Sequence, residues 1–291
     1  MNKELKIGIV AKPGHQQAKD LVKQLVEFIQ EQNLEIILDK DTAALINSKN
    51  TINVERRRNI TKTCDIAVIL GGDGTLISVS RHPSKNSPKI IGVNLGTLGF
   101  LTEISIEELK DTLVKTINNK VKLEERKLLE TSISKAGEDE ITTYAINDVV
   151  ISKETIARIF PTKIYIDSCY AANLKGDGVI ISSPSGSTAY SLAAGGTIVH
   201  PGVSAMLITP ICPHSLTSRP LVVPGEAKID LEIGPADEIK SFLTVDGQEG
   251  YPLNSGDKVS VKTSEYAVRF VKSESKSYYD ILSSKLKWAS M

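Results

Sequence analysis

The sequence predicts an α/β domain followed by a β-rich domain. Its 291 residues are close to the length at which one hydrophobic core stops growing, which favours two domains. In the first part, buried strands alternate with segments long enough for helices, a pattern typical of a parallel sheet flanked by helices. After about residue 120, short β segments separated by turns predominate. We therefore predict domains at 1–120 and 121–271, with a C-terminal helix in 272–291 returning to the first.

The strands of the first domain are predicted from four short apolar runs bounded by turn residues. Between the first two runs, Leu21, Leu25 and Ile29 recur at helical spacing, which predicts a helix packed on the sheet. The predicted strands are 5–11, 34–38, 65–70 and 89–95.

The second domain is predicted from period-two β segments. One exception is 186–196, where Ser187 and Thr188 suit a short helix with capping hydroxyls. Another is the terminal helix, which we expect to place Tyr279, Leu282 and Leu286 on one face. The predicted β segments are 131–135, 143–152, 162–168, 178–183, 228–233, 258–262 and 266–271.

Charge and composition exclude several classes of partner. The 35 basic and 35 acidic residues cancel, so neither nucleic acid nor an anionic membrane is attracted by overall charge. An anionic ligand must then be held by a local site. No apolar run is long enough for a leader or a membrane span, so we expect a soluble, cytoplasmic protein. The cysteines Cys64, Cys169 and Cys212 are expected to be reduced, because their number and spacing fit neither disulfides nor zinc.

The first candidate site is the run Gly71, Gly72, Asp73, Gly74 and Thr75, which directly follows a predicted buried strand. Glycines there let the backbone approach phosphates, and a following helix would direct its free amides at the same charge. The carboxylate of Asp73 would be repelled by phosphate unless a cation bridged the two groups or the acid were needed to accept a proton, as in phosphoryl transfer to a hydroxyl. The alternative is a tight turn in which the acid is an N-cap. Since no Walker lysine follows, backbone amides and magnesium would have to neutralise the phosphates.

Four further features carry polar groups in or near predicted strands. The glycine loop 94–100 follows the next strand, and Phe100 could stack on a base or belong to the core. Asn147 and Asp148 interrupt the alternation of their strand, so they either bind a ligand or cap the backbone of a local bulge.

The segment 175–191 is rich in glycine and hydroxyls, which suits a polar ligand. Residues 246–248 resemble a hairpin turn. The four histidines form no closely spaced ligand set, and we assign no direct metal ligand.

Together these motifs closely resemble the NAD kinase family. The resemblance runs from Ile7 to Trp288, and the stretch KGDGVIISSPSGSTAYSLAAGGTIVHP is its most specific part. It implies ATP- and Mg²⁺-dependent phosphorylation of the 2′-hydroxyl of the adenosine ribose of NAD, giving NADP. It also implies a phosphate-donor domain, an NAD-binding domain and a homo-oligomer, a dimer or tetramer, without nucleic acid or membrane partners.

The resemblance assigns roles to individual residues. Asp73 matches the proton acceptor, and the remaining residues of its turn would bind the ATP phosphates. Many relatives have Glu at the position of Asp148. The carboxylate is the same, and only the length of the side chain differs. The residues matched to NAD binding are Asp73, Gly74, Asn147, Asp148, Arg158, Lys175, Asp177, Thr188, Ala189, Tyr190, Ser191, Leu192, Ala193, Asp246 and Gln248. We add Phe100 to the predicted NAD contacts as the ring that could stack on a base.

Two other functions share part of this pattern. Lipid kinases have a similar GGDGT loop, but the stretch 175–201 and the absence of a basic or amphipathic surface argue against one. A regulatory dinucleotide-binding protein would keep the pocket, but binding alone does not require Asp73 among phosphate-binding glycines.

Overall fold

The chain forms two compact units, Met1–Glu125 together with Tyr266–Met291, and Arg126–Glu265. The structure, a computed structural model, describes residues 5–47, 52–153, 160–234 and 241–287. Each unit has its own hydrophobic core. The predicted fold class, an α/β unit with parallel strands followed by a β-rich unit, is confirmed, and the last helix belongs to the first unit.

The first unit is built on a parallel sheet in the order β5-β4-β1-β2-β3. The central strands β1 and β4 are almost wholly buried, as expected for strands covered on both faces. The strands are β1 Lys6–Ala11, β2 Glu35–Asp39, β3 Asn53–Glu55, β4 Ile66–Gly71 and β5 Lys89–Asn94.

The helices of this unit bury apolar stripes against the sheet. Helix α1 buries Val22, Leu25 and Ile29, as its spacing predicts. Helix α5 begins with a capping box in which Ser105 and Glu108 bind each other's backbone amides. The helices are α1 Gln16–Glu31, α2 Lys40–Leu45, α3 Ile60–Thr63, α4 Asp73–Ser80, α5 Ile106–Ile117 and, at the C-terminus, α7 Tyr278–Leu286.

The second unit consists mainly of antiparallel strands around one core. A six-stranded sheet has the order β13-β12-β11-β8-β15-β16. Strands β10, β9, β14 and the first part of β17 pair in that order, all antiparallel, and β6 pairs with β7. The elements are β6 Leu123–Ser134, β7 Ile141–Ala145, β8 Asp148–Lys153, β9 Phe160–Ile166, β10 Cys169–Gly176, β11 Gly178–Ser182, α6 Tyr190–Ala193, β12 Ala205–Ile211, β13 Leu221–Pro224, β14 Lys228–Ile233, β15 Ser241–Val245, β16 Glu249–Leu253 and β17 Lys258–Val271.

Several local predictions need correction. The segment 143–152 is not one strand, because a bend at 146–147 separates β7 from β8. Strand β17 is continuous across 258–271, where we predicted two segments. In α7 the buried residues are Ile281 and Leu282, whereas Tyr279 is 63% exposed, so the predicted apolar face is wrong. The segment 186–196 forms a 3₁₀ turn at Ser185–Thr188 and then α6, and neither has a side-chain cap.

Strand β11 depends on the absence of a side chain at its first residue. A Cβ at Gly178 would overlap the carbonyl oxygen of Ile151 on the neighbouring strand. We expect Gly178→Ala to lower the free energy of unfolding by about 1–3 kcal/mol or more, as overpacking does. The matched control is Gly250→Ala in the same sheet, where the nearest atom would be 3.6 Å away. Urea unfolding curves compare the two variants; equal losses would contradict this account.

Candidate active site

The glycine-rich turn lies at the carboxyl end of β4 and leads into α4. Gly72 is the N-cap of this helix and contributes no side-chain cap, so the helix begins on bare backbone. A Cβ at Gly72 or Gly74 would meet nothing within 4 Å, which leaves room for a ligand to approach. At Gly71 a Cβ would lie 2.6 Å from Thr75 Oγ1, so this glycine is needed for packing. The turn therefore combines open backbone with the positive end of a helix dipole.

Asp73 is the first residue of α4, and its carboxylate faces another loop. Its Oδ2 accepts a hydrogen bond from Phe100 N at 2.8 Å. Its Oδ1 accepts three, from Leu101 N at 3.1 Å and from Thr102 N and Oγ1, both at 3.0 Å. The alternative in which Asp73 is an N-cap is therefore wrong. Because each carboxylate oxygen has about two lone-pair positions, Oδ1 is saturated and Oδ2 keeps one position.

Gly99 and Thr102 complete this arrangement. The sequence places Gly99 in the candidate glycine loop 94–100 without a role of its own, and it does not single out Thr102. A Cβ at Gly99 would overlap Asp73 Oδ1 and Thr102 Oγ1, so only glycine lets the carboxylate enter the loop. Thr102 is fully buried and donates twice to the same oxygen. Thr102 could have been identified from the sequence, because it is a polar residue at the end of the apolar run GFLT and must find a hydrogen-bond partner if it is buried. Phe100 is partly buried and meets Asp73 through its backbone.

In the second unit, the bend at 146–148 has every backbone polar group bound. The carboxylate of Asp246 accepts hydrogen bonds from Ile146 N, Asn147 N and Asp148 N at 2.9, 2.8 and 3.1 Å. Asp246 N donates to Asp148 O, and Ser183 binds the other two carbonyls through its N and Oγ. These hydrogen bonds therefore fix the backbone of Asn147 and Asp148, the two predicted site residues of this bend.

Among the described residues, none donates a hydrogen bond to the side-chain oxygens of Asn147 or Asp148. Asn147 Oδ1 is buried without a hydrogen bond. Asp148 is 5% exposed, and its carboxylate accepts no hydrogen bond from the described residues. Burial, and to a lesser extent the nearby Asp246 carboxylate, raise the pKa of Asp148 to about 7. An unpartnered acid with a strongly shifted pKa is a mark of a functional site.

The raised pKa of Asp148 gives a stability prediction. The folded state holds a proton from pH 4 to 7 that the unfolded state releases, so wild-type stability falls as pH rises through this range. We expect Asp148→Asn to be more stable than wild type at pH 8, by at most about 4 kcal/mol at ~1.4 kcal/mol per pKa unit. The difference should vanish near pH 4.

Asp257→Asn is the matched control for this prediction. Asp257 is also 5% exposed, but its Oδ2 accepts a hydrogen bond from Asn254 N at 2.8 Å. Removing a satisfied carboxylate should not stabilise the protein at pH 8. Thermal unfolding of both variants between pH 4 and 8 measures the difference, and no gain for Asp148→Asn at pH 8 would contradict the raised pKa.

The hydroxyl-rich segment lies beside the bend. Gly186 packs on the backbone of Asn147, because a Cβ there would overlap the Asn147 carbonyl oxygen. Ser191 is fully buried and bound to Thr209, so its hydroxyl serves the fold. Tyr190 is 47% exposed. The other predicted residues here, all partly buried or exposed, are Thr188, Ala189, Leu192 and Ala193.

The remaining predicted residues are spread over the second unit. Asp177 is paired with Lys153 at 2.6 Å, at the other end of β8 from the bend. Lys175 is exposed, and Gln248 is exposed in the β15–β16 hairpin turn. Arg158 lies outside the described residues.

Within the described ranges, no three side chains of His, Cys, Asp or Glu are grouped so that they could hold a metal ion. None of the described helices has the length and hydropathy needed for a membrane span.

A glycine-rich turn between a parallel strand and a helix is where α/β proteins bind phosphorylated ligands, and the first unit has this architecture. Two family models match the chain, the ATP-NAD kinase N-terminal domain over residues 7–121 and the ATP-NAD kinase C-terminal domain over 146–273. The chain therefore belongs to the NAD kinase family of enzymes.

Individual relatives agree with this assignment. The chain is 40% identical over 283 residues to an NAD kinase of Geotalea daltonii, covering 97% of this chain and 98% of the relative. It is 38% identical to an NAD kinase of Koribacter versatilis, covering 97% and 98%. A crystal structure of yeast NADH kinase complexed with NADH superposes with a TM-score of 0.88 at 29% identity, covering 100% of this chain and 90% of that chain. An NAD kinase from Archaeoglobus fulgidus in complex with ATP shares the fold, with a TM-score of 0.74 at 23% identity over 96% of this chain and 98% of that chain.

Proposed function

We propose that this protein transfers the γ-phosphoryl group of ATP to the 2′-hydroxyl of the adenosine ribose of NAD, giving NADP and ADP. The observation that carries the proposal is the Asp73 carboxylate, fixed by four hydrogen bonds beside an open glycine turn at a helix N-terminus. A site that only binds phosphates does not require a carboxylate at this position. A site that phosphorylates a hydroxyl group does require one, because the hydroxyl must lose its proton.

Asp73 is the proton acceptor in this mechanism. A ribose hydroxyl is a weak nucleophile at neutral pH, so the enzyme must hold it in line with the γ-phosphorus and receive its proton. The free lone-pair position on Oδ2 is where we place that proton, because Oδ1 is saturated by three donors. The new O–P bond forms as the bond to the ADP oxygen breaks, and the proton passes from Asp73 to solvent in a later step.

The backbone of the turn would bind the phosphates. Gly72 and Gly74 leave space on the ligand side, and Gly71 and Thr75 fix the turn by packing on each other. Mg²⁺ would be held by the ATP phosphates and by water, the ligands it usually keeps. Bound there, it would supply the positive charge that a Walker lysine supplies in other phosphate-binding loops.

The dinucleotide would be bound by the second unit. Asn147 and Asp148 present side-chain oxygens that have no hydrogen-bond donor among the described residues and that suit ribose hydroxyls or the adenine amine. By family resemblance, further contacts would come from Asp177, the segment 188–193, Lys175, Arg158 and Gln248. Phe100 would contribute a ring that stacks on a base. The homo-oligomer stays a prediction.

Product analysis tests the proposal. Purified protein is incubated with NAD, ATP and Mg²⁺, and NADP is measured with an NADP-specific dehydrogenase. We expect NADP to form in proportion to ADP, and an excess of chelator to stop the reaction. Parallel incubations replace NAD with diacylglycerol or sphingosine. Phosphorylation of a lipid without NADP formation would contradict the proposal, and tight NAD binding without turnover would indicate a regulatory protein.

A further inference from the structure

The bend that carries Asn147 and Asp148 depends on a carboxylate about 100 residues away. Strand β7 ends at Ala145 and β8 begins at Asp148, so the amides between them lack a regular strand partner. Asp246 supplies the missing acceptors, with Oδ1 bound to two amides and Oδ2 to the third. Because three successive amides donate to one carboxylate, the backbone conformation of residues 146–148 is fixed.

The backbone of Asp246 explains why its carboxylate points to the bend. Asp246 and Gly247 have φ of +51° and +63°, the left-handed pair of a tight hairpin turn between β15 and β16. Aspartate tolerates this conformation better than most residues do. Its own amide donates to Asp148 O at 2.9 Å, which ties the turn to the bend at a fourth point.

From this geometry we propose that Asp246 is a positioning residue for NAD, acting through Asn147 and Asp148 rather than by direct contact with the dinucleotide. Its carboxylate is occupied by three backbone amides, whereas the side chains that those amides carry have no partners among the described residues. The proposal rests on the proposed function, because it takes the 146–148 bend as part of the NAD site.

The Asp246 carboxylate also affects the protonation of Asp148, because the two groups are both acidic and lie close together. It is the charged group that raises the pKa of Asp148 in addition to burial. On β11 a serine lies opposite Asp148. The two strands paired with β8, β11 and β15, contain no charged residue. Lys153 and Asp177 pair with each other at the far end of β8, and Glu249 in β16 accepts from a tyrosine hydroxyl. Replacing Asp246 by a neutral residue should therefore lower the pKa of Asp148.

Two variants separate the parts of this role. Asp246→Asn keeps an acceptor for two of the three amides and removes the charge, whereas Asp246→Ala removes all three contacts. The matched control is Asp167, which has φ of +49° in the β9–β10 turn and binds Lys228 N through its carboxylate at 2.8 Å. Asp167→Asn and Asp167→Ala change a similar turn on the same unit outside the proposed site.

NAD binding is measured by calorimetry without ATP, on variants shown to be folded by circular dichroism. We expect Asp246→Ala to weaken NAD binding about 10- to 100-fold, the range for loss of charge-assisted hydrogen bonds. Asp246→Asn should weaken it less and move the midpoint of its pH dependence below that of wild type. The Asp167 variants should bind as wild type does.

Combination with Asp148→Asn distinguishes positioning from direct contact. If Asp246 acts through Asp148, the effects of Asp246→Asn and Asp148→Asn on NAD affinity are not additive, whereas a direct contact gives additive effects. Additive losses, or wild-type affinity and an unchanged midpoint in folded Asp246→Asn, would overturn the inference. Failure of the wild-type protein to bind NAD would instead overturn the proposed function.

Discussion

Asp73→Asn is expected to lower kcat for NADP formation by about a thousandfold, within the range that a positioned base contributes. Asparagine cannot take the proton that we assign to Oδ2. It also turns an NH₂ group towards Phe100 N, which costs one hydrogen bond. NAD binding should persist, because the principal proposed NAD contacts lie in the other unit. Steady-state kinetics with NAD and MgATP, together with calorimetry for NAD, measure both quantities.

Asp41→Asn is the matched control. Asp41 is also an acid in the first turn of a helix of the same unit, and it is paired with Arg57 at 3.0 Å on the surface. We expect its kcat to equal that of wild type. Near-normal turnover of Asp73→Asn would remove Asp73 from the role of proton acceptor and leave it as the residue that anchors the 100–102 loop.

Gly99→Ala is expected to lower kcat almost as much as loss of Asp73 itself, by about a hundredfold or more. The added methyl would overlap both Asp73 Oδ1 and Thr102 Oγ1, so the carboxylate must leave the loop that orients it. Because the methyl group is small, we expect the protein to remain folded. Kinetics and thermal unfolding of the same preparation separate the effect on the site from the effect on stability.

The same loop contains the control for this prediction. A Cβ at Gly96 would meet nothing within 4 Å, so Gly96→Ala adds the same group three residues away without a clash. We expect nearly normal kcat for Gly96→Ala. If both alanine variants had the same activity, the close approach of Gly99 to Asp73 would have no catalytic meaning.

The sequence predicts β1, β2, β4 and β5 of the parallel sheet, because each is a short and largely buried apolar run. It does not predict β3, which has three residues and is mostly exposed. It also locates the glycine turn, since a strand followed by GGDGT places these residues at the carboxyl edge of a parallel sheet. The fold class of both units follows from the change from long crossovers to short β segments. Each of these features depends on residues that are neighbours in the sequence, so a short residue pattern is enough to predict it.

The contacts of the site are not local, and no pattern contains them. The donors to Asp73 come from residues 27 to 29 positions later. The acceptors at the 146–148 bend come from Asp246, so the interruption by Asn147 and Asp148 could be read equally as a ligand site or a bulge. The face of α7 was misjudged because helical spacing alone does not tell which of two overlapping stripes is buried. Ile281 and Leu282 are buried, whereas Leu286 is 37% exposed.

The position of the transferred phosphate tests the central claim most directly. NAD and MgATP are converted to completion by the purified protein, and the isolated product is examined by ³¹P NMR and by its reduction with an NADP-specific dehydrogenase. We predict one new phosphomonoester signal, coupled to the 2′ position of the adenosine ribose, in a product that the dehydrogenase reduces fully. A phosphate at another position, or ADP formation without a phosphorylated dinucleotide, would contradict the account.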